Sequence, residues 1–215
     1  ILHTHHHRDQ CQGDLRAEDE GIPIYVPEHE RRLFENAELF WATKQLFDGY
    51  NVRNTYFSLT RDVPLAGSLV DYGTWNHGDL TFTILPTPGH SLGSLTLLAD
   101  IDGRQTAFTG DLLYDAGKVQ TMYDMQYNYG AVDGVEMTIL SLANLARRQP
   151  GLLCPSHGSP MREVETAIHA TRDNLVSFYK LMTGGMLPAG EIDFVPVLPH
   201  VLAATYACSY FYVIT

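Results

Sequence analysis

The first residues of the chain carry a pattern of side chains that bind metal ions. His5 and His7 lie two residues apart, and Asp9 follows after another two. In an extended segment, side chains two positions apart project from the same side, so both imidazoles can converge on one point. Neutral imidazole and carboxylate are ligands of zinc and also of iron. The spacing therefore predicts a metal site, with Asp9 placed to reach a second ion beside the first.

Further ligand candidates each follow a predicted β-strand and stand beside a glycine. They are His90, Asp111 and His157, next to Gly89, Gly110 and Gly158. A glycine permits the sharp backbone turn with which a strand end directs a side chain toward a site. One such dipeptide alone is typical of an ordinary turn. The ordered set of motifs, each after a strand, predicts a metal centre.

The elements that must position these residues alternate between strands and helices. Strand patterns cover 22–26, 79–86, 92–99, 105–108 and 152–154, and helix patterns cover 27–49, 133–148 and 159–184. Asp102-Gly103 tolerates a positive φ and predicts a tight hairpin turn between two of the strands. Trp75 and His77 are expected in a turn before a strand. The alternation predicts a layered α/β (α+β) fold.

The bulk composition excludes several classes of protein. The chain has 215 residues, of which 45% are apolar, so a sizeable core can be buried. A formal charge of −11 without a basic cluster argues against nucleic-acid binding. No apolar run is long enough to span a bilayer, so we expect no membrane partner. The odd, irregularly spaced cysteines Cys11, Cys154 and Cys208 predict a reducing, cytoplasmic compartment.

These motifs resemble those of the metallo-β-lactamase superfamily, whose first motif is HxHxDH. The resemblance covers roughly residues 1–184, and the stretches 77–82 (HGDLTF) and 86–94 (PTPGHSLGS) look like the glyoxalase II branch. It implies a four-layer αβ/βα sandwich with the metals in a cleft between two sheets. It also implies a first ion held by His5, His7 and His90, a second held by Asp9 and His157, and Asp111 as the bridge between them.

Gln10 departs from the family pattern, which has a histidine ligand of the second ion at this position. A neutral amide oxygen is a weak ligand compared with imidazole. His6 cannot replace it, because it points away from its neighbours. We therefore expect one or two zinc ions, with iron or manganese as alternatives, and a second site that is looser, differently occupied or empty.

Two alternatives remain within the motif. A shifted register, His3-His5-His7, would supply three imidazoles, but it leaves Asp9 unused and breaks the family match. Cys11 could act as a soft ligand, although a small buried residue at the start of a helix is the favoured interpretation.

The metal set predicts hydrolysis. A divalent ion lowers the pKa of water from about 15.7 to about 7, so hydroxide becomes available at neutral pH to attack a carbonyl or phosphoryl centre. We assign catalytic roles to Asp9, a candidate proton shuttle, and to Asp111. The stretch 112–131 follows Asp111 and is rich in Tyr and Met, so Tyr114 and Tyr123 are candidate substrate contacts, with ordinary core packing as the alternative.

Three functions are compatible with these residues. The first is hydrolysis of an ester, thioester, lactone, amide or phosphodiester of a small molecule. The second is an iron-dependent redox reaction, since iron-binding members that oxidise sulfur compounds share the fold that the resemblance implies. The third is a non-catalytic unit whose second metal site has degenerated, as the Gln10 change suggests. The substrate itself is not encoded in any motif.

The domain prediction follows from the same resemblance. We assign residues 1–190 to a metal-binding domain that lacks the opening strands of the family. Residues 191–215 resemble such opening strands, so they either begin a second similar unit or fold back to complete the first. A tandem unit or a homo-oligomer is therefore an expected partner.

Overall fold

The computed structural model describes residues 1–43, 58–122, 125, 133–184, 194–206 and 209–214. The chain forms two compact units, Ile1–Met182 and Thr183–Thr215. The strands of the first unit are β1 Tyr25–Pro27, β2 Gly67–Leu69, β3 Thr74–His77, β4 Leu80–Pro86, β5 Leu95–Ile101, β6 Arg104–Gly110 and β7 Leu152–Pro155. Its α-helices are α1 Arg8–Cys11, α2 Asp14–Asp19, α3 Arg32–Glu35, α4 Ala37–Thr43, α5 Asp133–Ala146 and α6 Val164–Met182. None of the described helices has the length and apolar character needed to cross a membrane.

The central sheet of the first unit has the strand order β3-β4-β5-β6-β7. Neighbouring strands are antiparallel except for β6 and β7, which are parallel. Strands β4, β6 and β7 therefore run in the same direction, and their carboxyl ends meet at one edge of the sheet. The segments that follow these three strands carry His90, Asp111 and His157, so the topology alone brings the predicted ligands to one edge.

Helices α5 and α6 cover one face of this sheet. Leu98, Ala107 and Leu153 of the sheet pack in one buried cluster with Leu142 of α5 and Ile168 of α6. The helices can do this because each presents an apolar stripe at helical spacing on its inner side. Their burial anchors the sheet whose edge carries the site.

A smaller layer lies against the opposite face, where β1 pairs with β2 in parallel. The extended first residues of the chain join it, because His3 N donates to Tyr25 O and Tyr25 N donates to Ile1 O, both at 2.9 Å. Leu95 N, at the start of β5, donates to Thr4 O at 2.8 Å. The extended segment that precedes His5 is therefore hydrogen-bonded to a strand of each of the two sheets.

The hairpin prediction at Asp102-Gly103 is confirmed, since their φ angles are +54° and +76° and they join β5 to β6. The predicted start of the last helix is wrong. The helix begins at Val164 and not at Ser159, because Met161 first pairs with Leu153 through backbone hydrogen bonds of 2.9 and 3.0 Å.

Two other local predictions differ from the structure. Trp75 and His77 do not lie in a turn but on β3, where their rings stack at a centroid distance of 5.8 Å. The helix expected over 27–49 is divided into a 3₁₀ helix, Glu28–Glu30, followed by α3 and α4. Asn36 interrupts it with a φ of −130°, which is not helical. Residues 44–49 lie outside the described part of the chain.

The second unit contains three antiparallel strands, β8 Val195–Leu198, β9 Val201–Tyr206 and β10 Ser209–Ile214, in the order β10-β9-β8. Strands were expected in this segment. All four residues of β8 are exposed. Whether residues 191–215 open a second unit or complete the first stays a prediction.

Candidate metal centre

Three histidines from distant parts of the sequence converge at the edge of the sheet. His5, His7 and His90 each offer one ring nitrogen, and these nitrogens all lie within 4.8 Å of one another. Their ring centroids are 4.9 Å apart for His5 with His7, 4.9 Å for His5 with His90 and 4.5 Å for His7 with His90. The three side chains are buried. Such a group of imidazoles is the donor set of a zinc-type site.

The carboxylate of Asp111 joins this group to a second pair of side chains. Its Oδ2 lies 3.6 Å from His5 Nε2 and 3.3 Å from His90 Nε2. Its Oδ1 lies 2.8 Å from His157 Nδ1, at hydrogen-bond distance. His157 Nε2 lies 3.1 Å from Asp9 Oδ2. The structure therefore brings together all the side chains that the family resemblance assigns to two neighbouring ions, with Asp111 between them.

Burial controls the charge of these groups. Burial, followed by the neighbouring histidines His7 and His6, holds the pKa of His5 well below its usual value. Burial has the same effect on the pKa of His90. These imidazoles are consequently neutral at neutral pH, and their lone pairs are available to a metal ion.

The acidic part of the site behaves differently. Burial raises the pKa of Asp111, although its hydrogen bond with His157 opposes that rise. Burial alone would lower the pKa of His157, but the hydrogen bond to Asp111 and the charges of Asp111 and Asp9 outweigh it and raise that pKa. Asp111 and His157 therefore stabilise the charged form of each other.

The residues present fit a divalent ion. His5 Nδ1 lies 3.1 Å from Thr4 Oγ1, whereas His5 Nε2 is buried and makes no hydrogen bond within the described part of the chain. A buried polar atom without a partner costs about 1–3 kcal/mol, and coordination to a cation removes that cost. In metal-binding histidines, a hydrogen bond at the ring nitrogen that does not bind the metal fixes the tautomer, and Thr4 Oγ1 is placed to make this bond with His5 Nδ1.

Two glycines next to ligand residues have positive φ angles, and a side chain at either position would clash with neighbouring atoms. Gly110 precedes Asp111 with a φ of +57°, and a Cβ there would lie 2.7 Å from Thr4 Oγ1. Gly158 follows His157 with a φ of +96°, and a Cβ there would lie 2.1 Å from the carbonyl oxygen of Tyr114. Both strand ends can therefore turn into the site only because these residues lack side chains.

The remaining predicted site residues lie around this centre. Gln10 Nε2 is 3.5 Å from Asp9 Oδ2, at the limit of a hydrogen bond. Tyr114 lines an open cavity of about 650 Å³ together with Lys118 and His157. Tyr123 lies outside the described residues. Cys11 is buried, as expected, but it is the last residue of α1 and not the start of a helix, because the first helical turn begins directly after His7.

One buried carboxylate beside the centre was not predicted. Glu30 is only 2% exposed; its Oε2 is 2.9 Å from His6 Nδ1 and its Oε1 accepts a 2.9 Å hydrogen bond from Gly93 N. It therefore ties the segment that carries His5 and His7 to the loop that carries His90. Glu30 belongs to the charged run EHERR, which is typical of a solvated surface, so the sequence contains no local signal for its burial.

The chain resembles one known hydrolase over part of its sequence and several solved structures in fold. No family model matches the chain. The chain is 32% identical over 120 residues to a hydroxyacylglutathione hydrolase from Hahella chejuensis, a match that covers 54% of this chain and 34% of the relative. The matched region thus spans about a third of the length of this curated relative.

Solved structures share the fold at low sequence identity. The B3 metallo-beta-lactamase BLEG-1 superposes with a TM-score of 0.55 at 24% identity, covering 80% of this chain and 73% of that one. BJP-1, a subclass B3 metallo-beta-lactamase of Bradyrhizobium japonicum, superposes with a TM-score of 0.59 at 18% identity, covering 87% and 74%. A HARLDQ motif mutant of a metallo-beta-lactamase from Cronobacter sakazakii gives 0.58 at 16% identity, covering 86% and 74%.

Proposed function

The chain has the metallo-β-lactamase fold, and on that basis we propose that it is a metal-dependent hydrolase of a small molecule. The observation that carries the proposal is the convergence of His5, His7 and His90 with Asp111 and His157 at one sheet edge. The similarity to a hydroxyacylglutathione hydrolase supports the same class of reaction. A purely structural ion would not need the partly open side that Asp9 and His157 form.

We assign His5, His7 and His90 to a first ion, and Asp9 and His157 to a second, with Asp111 between them. We propose zinc as the ion, because imidazole and carboxylate are zinc ligands. When bound, such an ion polarises the substrate oxygen and lowers the pKa of water, which makes a nucleophile available at neutral pH. Gln10 lies beside the second position as a weak donor, so we propose that the second ion is held less tightly than the first.

The side chains themselves perform the remaining tasks. Asp111 is 3% exposed and lies within 3.6 Å of two imidazoles, so it holds their orientation and balances positive charge inside the site. The side chain of Asp9 is 56% exposed, so its Oδ2 can exchange protons with solvent. We assign Asp9 Oδ2 to accept the proton that water loses on attack and to return it to the leaving group.

The chemical class of the cleaved bond is proposed from the similarity to a hydroxyacylglutathione hydrolase. An acylglutathione is a thioester, and we propose that the substrate is a small ester, thioester or related acyl compound. The cavity of about 650 Å³ beside His157 has room for such a molecule, and Tyr114 and Lys118 are among its lining residues. These groups suit a substrate with a polar or anionic portion.

The proposal is tested by removing one ligand. His90→Ala should lose bound zinc and reduce turnover of a panel of thioesters, esters and lactones to background. The matched control is His29→Ala, because the side chain of His29 is 62% exposed and pairs with Asp71, which is not one of the proposed ligands. The measurements are elemental analysis of the purified proteins and initial rates after zinc loading.

The two parts of the proposal fail in different ways. Full zinc content and full turnover in His90→Ala would refute the assignment of the centre. A zinc-loaded wild-type chain that hydrolyses no member of the panel, while His90→Ala loses zinc, would leave a metal centre and reject the hydrolase.

A further inference from the structure

A second cluster of ligand-type side chains lies outside the centre described above. His3, Cys11 and Asp14 are 7%, 1% and 2% exposed, and one donor atom from each lies within 4.8 Å of the others. His3 Nε2 is 2.8 Å from Asp14 Oδ1, and Cys11 Sγ is 3.5 Å from His3 Nδ1. None of the three belongs to the group of His5, His7 and His90.

The chemistry of these donors is that of a transition-metal site. Thiolate, imidazole and carboxylate are all zinc ligands. A thiolate from Cys11 and the carboxylate of Asp14 together carry two negative charges, so a divalent cation between them makes the buried complex neutral. Neutrality matters because an uncompensated charge at this depth would cost several kcal/mol. Asp14 Oδ2 is also buried without a hydrogen-bond partner among the described residues, so an acceptor atom is left for an ion.

We propose that His3, Cys11 and Asp14 form a separate zinc site with a structural role. Binding converts the Cys11 thiol to a thiolate, and the released proton passes to solvent. The carbonyl oxygen of His5 lies 3.4 Å from Cys11 Sγ and is available as a further oxygen donor. His3 also lines an open cavity of about 370 Å³.

The position of the cluster explains what the ion stabilises. Cys11 is the last residue of α1 and Asp14 is the first residue of α2, helices of 4 and 6 residues. Isolated helices shorter than about 12 residues are marginal in water, so these two depend on external contacts. A common ion would tie both helices to His3 in the extended opening segment. Asp9 lies in α1, so the zinc site would also support the catalytic segment.

Without an ion, the same atoms form a chain of hydrogen bonds. His3 Nε2–H then donates to Asp14 Oδ1, and the Cys11 thiol donates to His3 Nδ1 or to the carbonyl oxygen of His5. This arrangement leaves Asp14 Oδ2 unsatisfied, whereas an ion bound to one ring nitrogen of His3 and to this oxygen would satisfy it. The two arrangements differ in whether Cys11 binds a metal, which spectroscopy detects directly.

The experiment replaces zinc by Co²⁺ in the full chain and records the near-ultraviolet charge-transfer band that a thiolate ligand gives with cobalt. The centre of His5, His7 and His90 contains no sulfur donor, so it gives no such band. We expect the band in the wild-type chain and its complete loss in Cys11→Ser, together with one fewer bound ion per chain. Cys154→Ser is the matched control and should keep both the band and the ion.

Two further variants separate the new site from the first. His90→Ala should keep the band, and Asp14→Asn should weaken or abolish it; Asp14→Asn also serves if Cys11→Ser does not fold. Absence of the band from the cobalt-loaded wild-type chain would overturn the proposal. Loss of the band in His90→Ala with its retention in Asp14→Asn would also overturn it, because the thiolate would then bind at the first centre.

Discussion

The buried carboxylate of Glu30 allows a quantitative prediction about what holds the metal-binding segments together. Burial would raise the pKa of Glu30, but the charge of His6 and hydrogen bonds from His6, Ser91 and Gly93 outweigh burial and lower that pKa to about 2. A glutamate in an unfolded chain has a pKa of about 4.3. The difference exceeds two units, so the ionised form contributes about 3 kcal/mol to the free energy of unfolding.

Glu30→Gln is the substitution that measures this contribution, because glutamine has nearly the shape of the protonated acid. The amide oxygen keeps one of the two acceptor positions, and the NH₂ group replaces the other, where it faces either His6 Nδ1 or Gly93 N. We expect the free energy of unfolding at pH 7 to fall by about 2–3 kcal/mol. For a chain of this size, that corresponds to a fall in Tm of about 4–12 °C. Glu28→Gln, two residues earlier on the exposed side of the same turn, should change it by less than about 0.5 kcal/mol.

The lowered pKa of Glu30 also predicts how its contribution to the free energy of unfolding changes with pH. A group whose pKa is lower in the folded than in the unfolded chain stabilises the fold above the unfolded value and loses that contribution as the pH falls. The gap between wild type and Glu30→Gln should therefore be complete above about pH 5 and shrink progressively toward pH 2. Guanidinium unfolding of chelator-treated protein, followed at several pH values, measures the gap without metal binding. An unfolding free energy of Glu30→Gln equal to that of Glu28→Gln at pH 7 would refute this account.

Two further substitutions test how the site is positioned. Gly158→Ala should lower turnover about 100-fold by displacing His157, because the new Cβ would lie 2.1 Å from Tyr114 O; Gly21→Ala has a similar positive φ but open space around it and should leave initial rates unchanged. Gln10→His should tighten binding of the second ion about tenfold or more, since imidazole is a better zinc ligand than an amide. Calorimetric zinc titrations measure this affinity. If wild type and Gln10→His bind the second ion with the same affinity, the second ion does not lie beside Gln10.

The convergence of the ligands was predictable because its signals are local. A ligand residue after a strand and next to a glycine indicates where a chain turns at a sheet edge, as Gly110-Asp111 and His157-Gly158 do. The hairpin at Asp102-Gly103 makes β6 antiparallel to β5, and β4 is also antiparallel to β5. Strands β4 and β6 therefore run in the same direction. Strand direction then brings the carboxyl ends to one edge without any information about side-chain packing.

The features that were missed depend on tertiary contacts. Glu30 lies in a run of charged residues, and only the packing of its turn against His6 and Gly93 makes it buried. The late start of α6 has the same origin, because the pairing of Met161 with Leu153 overrides the helix-start signal of Ser159-Pro160. Local propensity is a weak guide wherever a partner distant in sequence supplies the stabilising contacts.

The opening run, residues 3–7, shows why spacing alone left two registers open. Strict alternation along an extended strand would place the side chains of residues 3, 5 and 7 on one side. The backbone bends at Thr4 and His5, so His3 leaves that side and bonds to Asp14 at 2.8 Å. The bend divides the histidines among three sets, in which His3 bonds to Asp14, His6 bonds to Glu30, and His5 and His7 lie beside His90. Each set has its own carboxylate, which is Asp14 for His3, Glu30 for His6, and Asp111 for His5 and His90. The bend and these partners, more than the spacing of the histidines, therefore separate His3 and His6 from the centre of His5, His7 and His90.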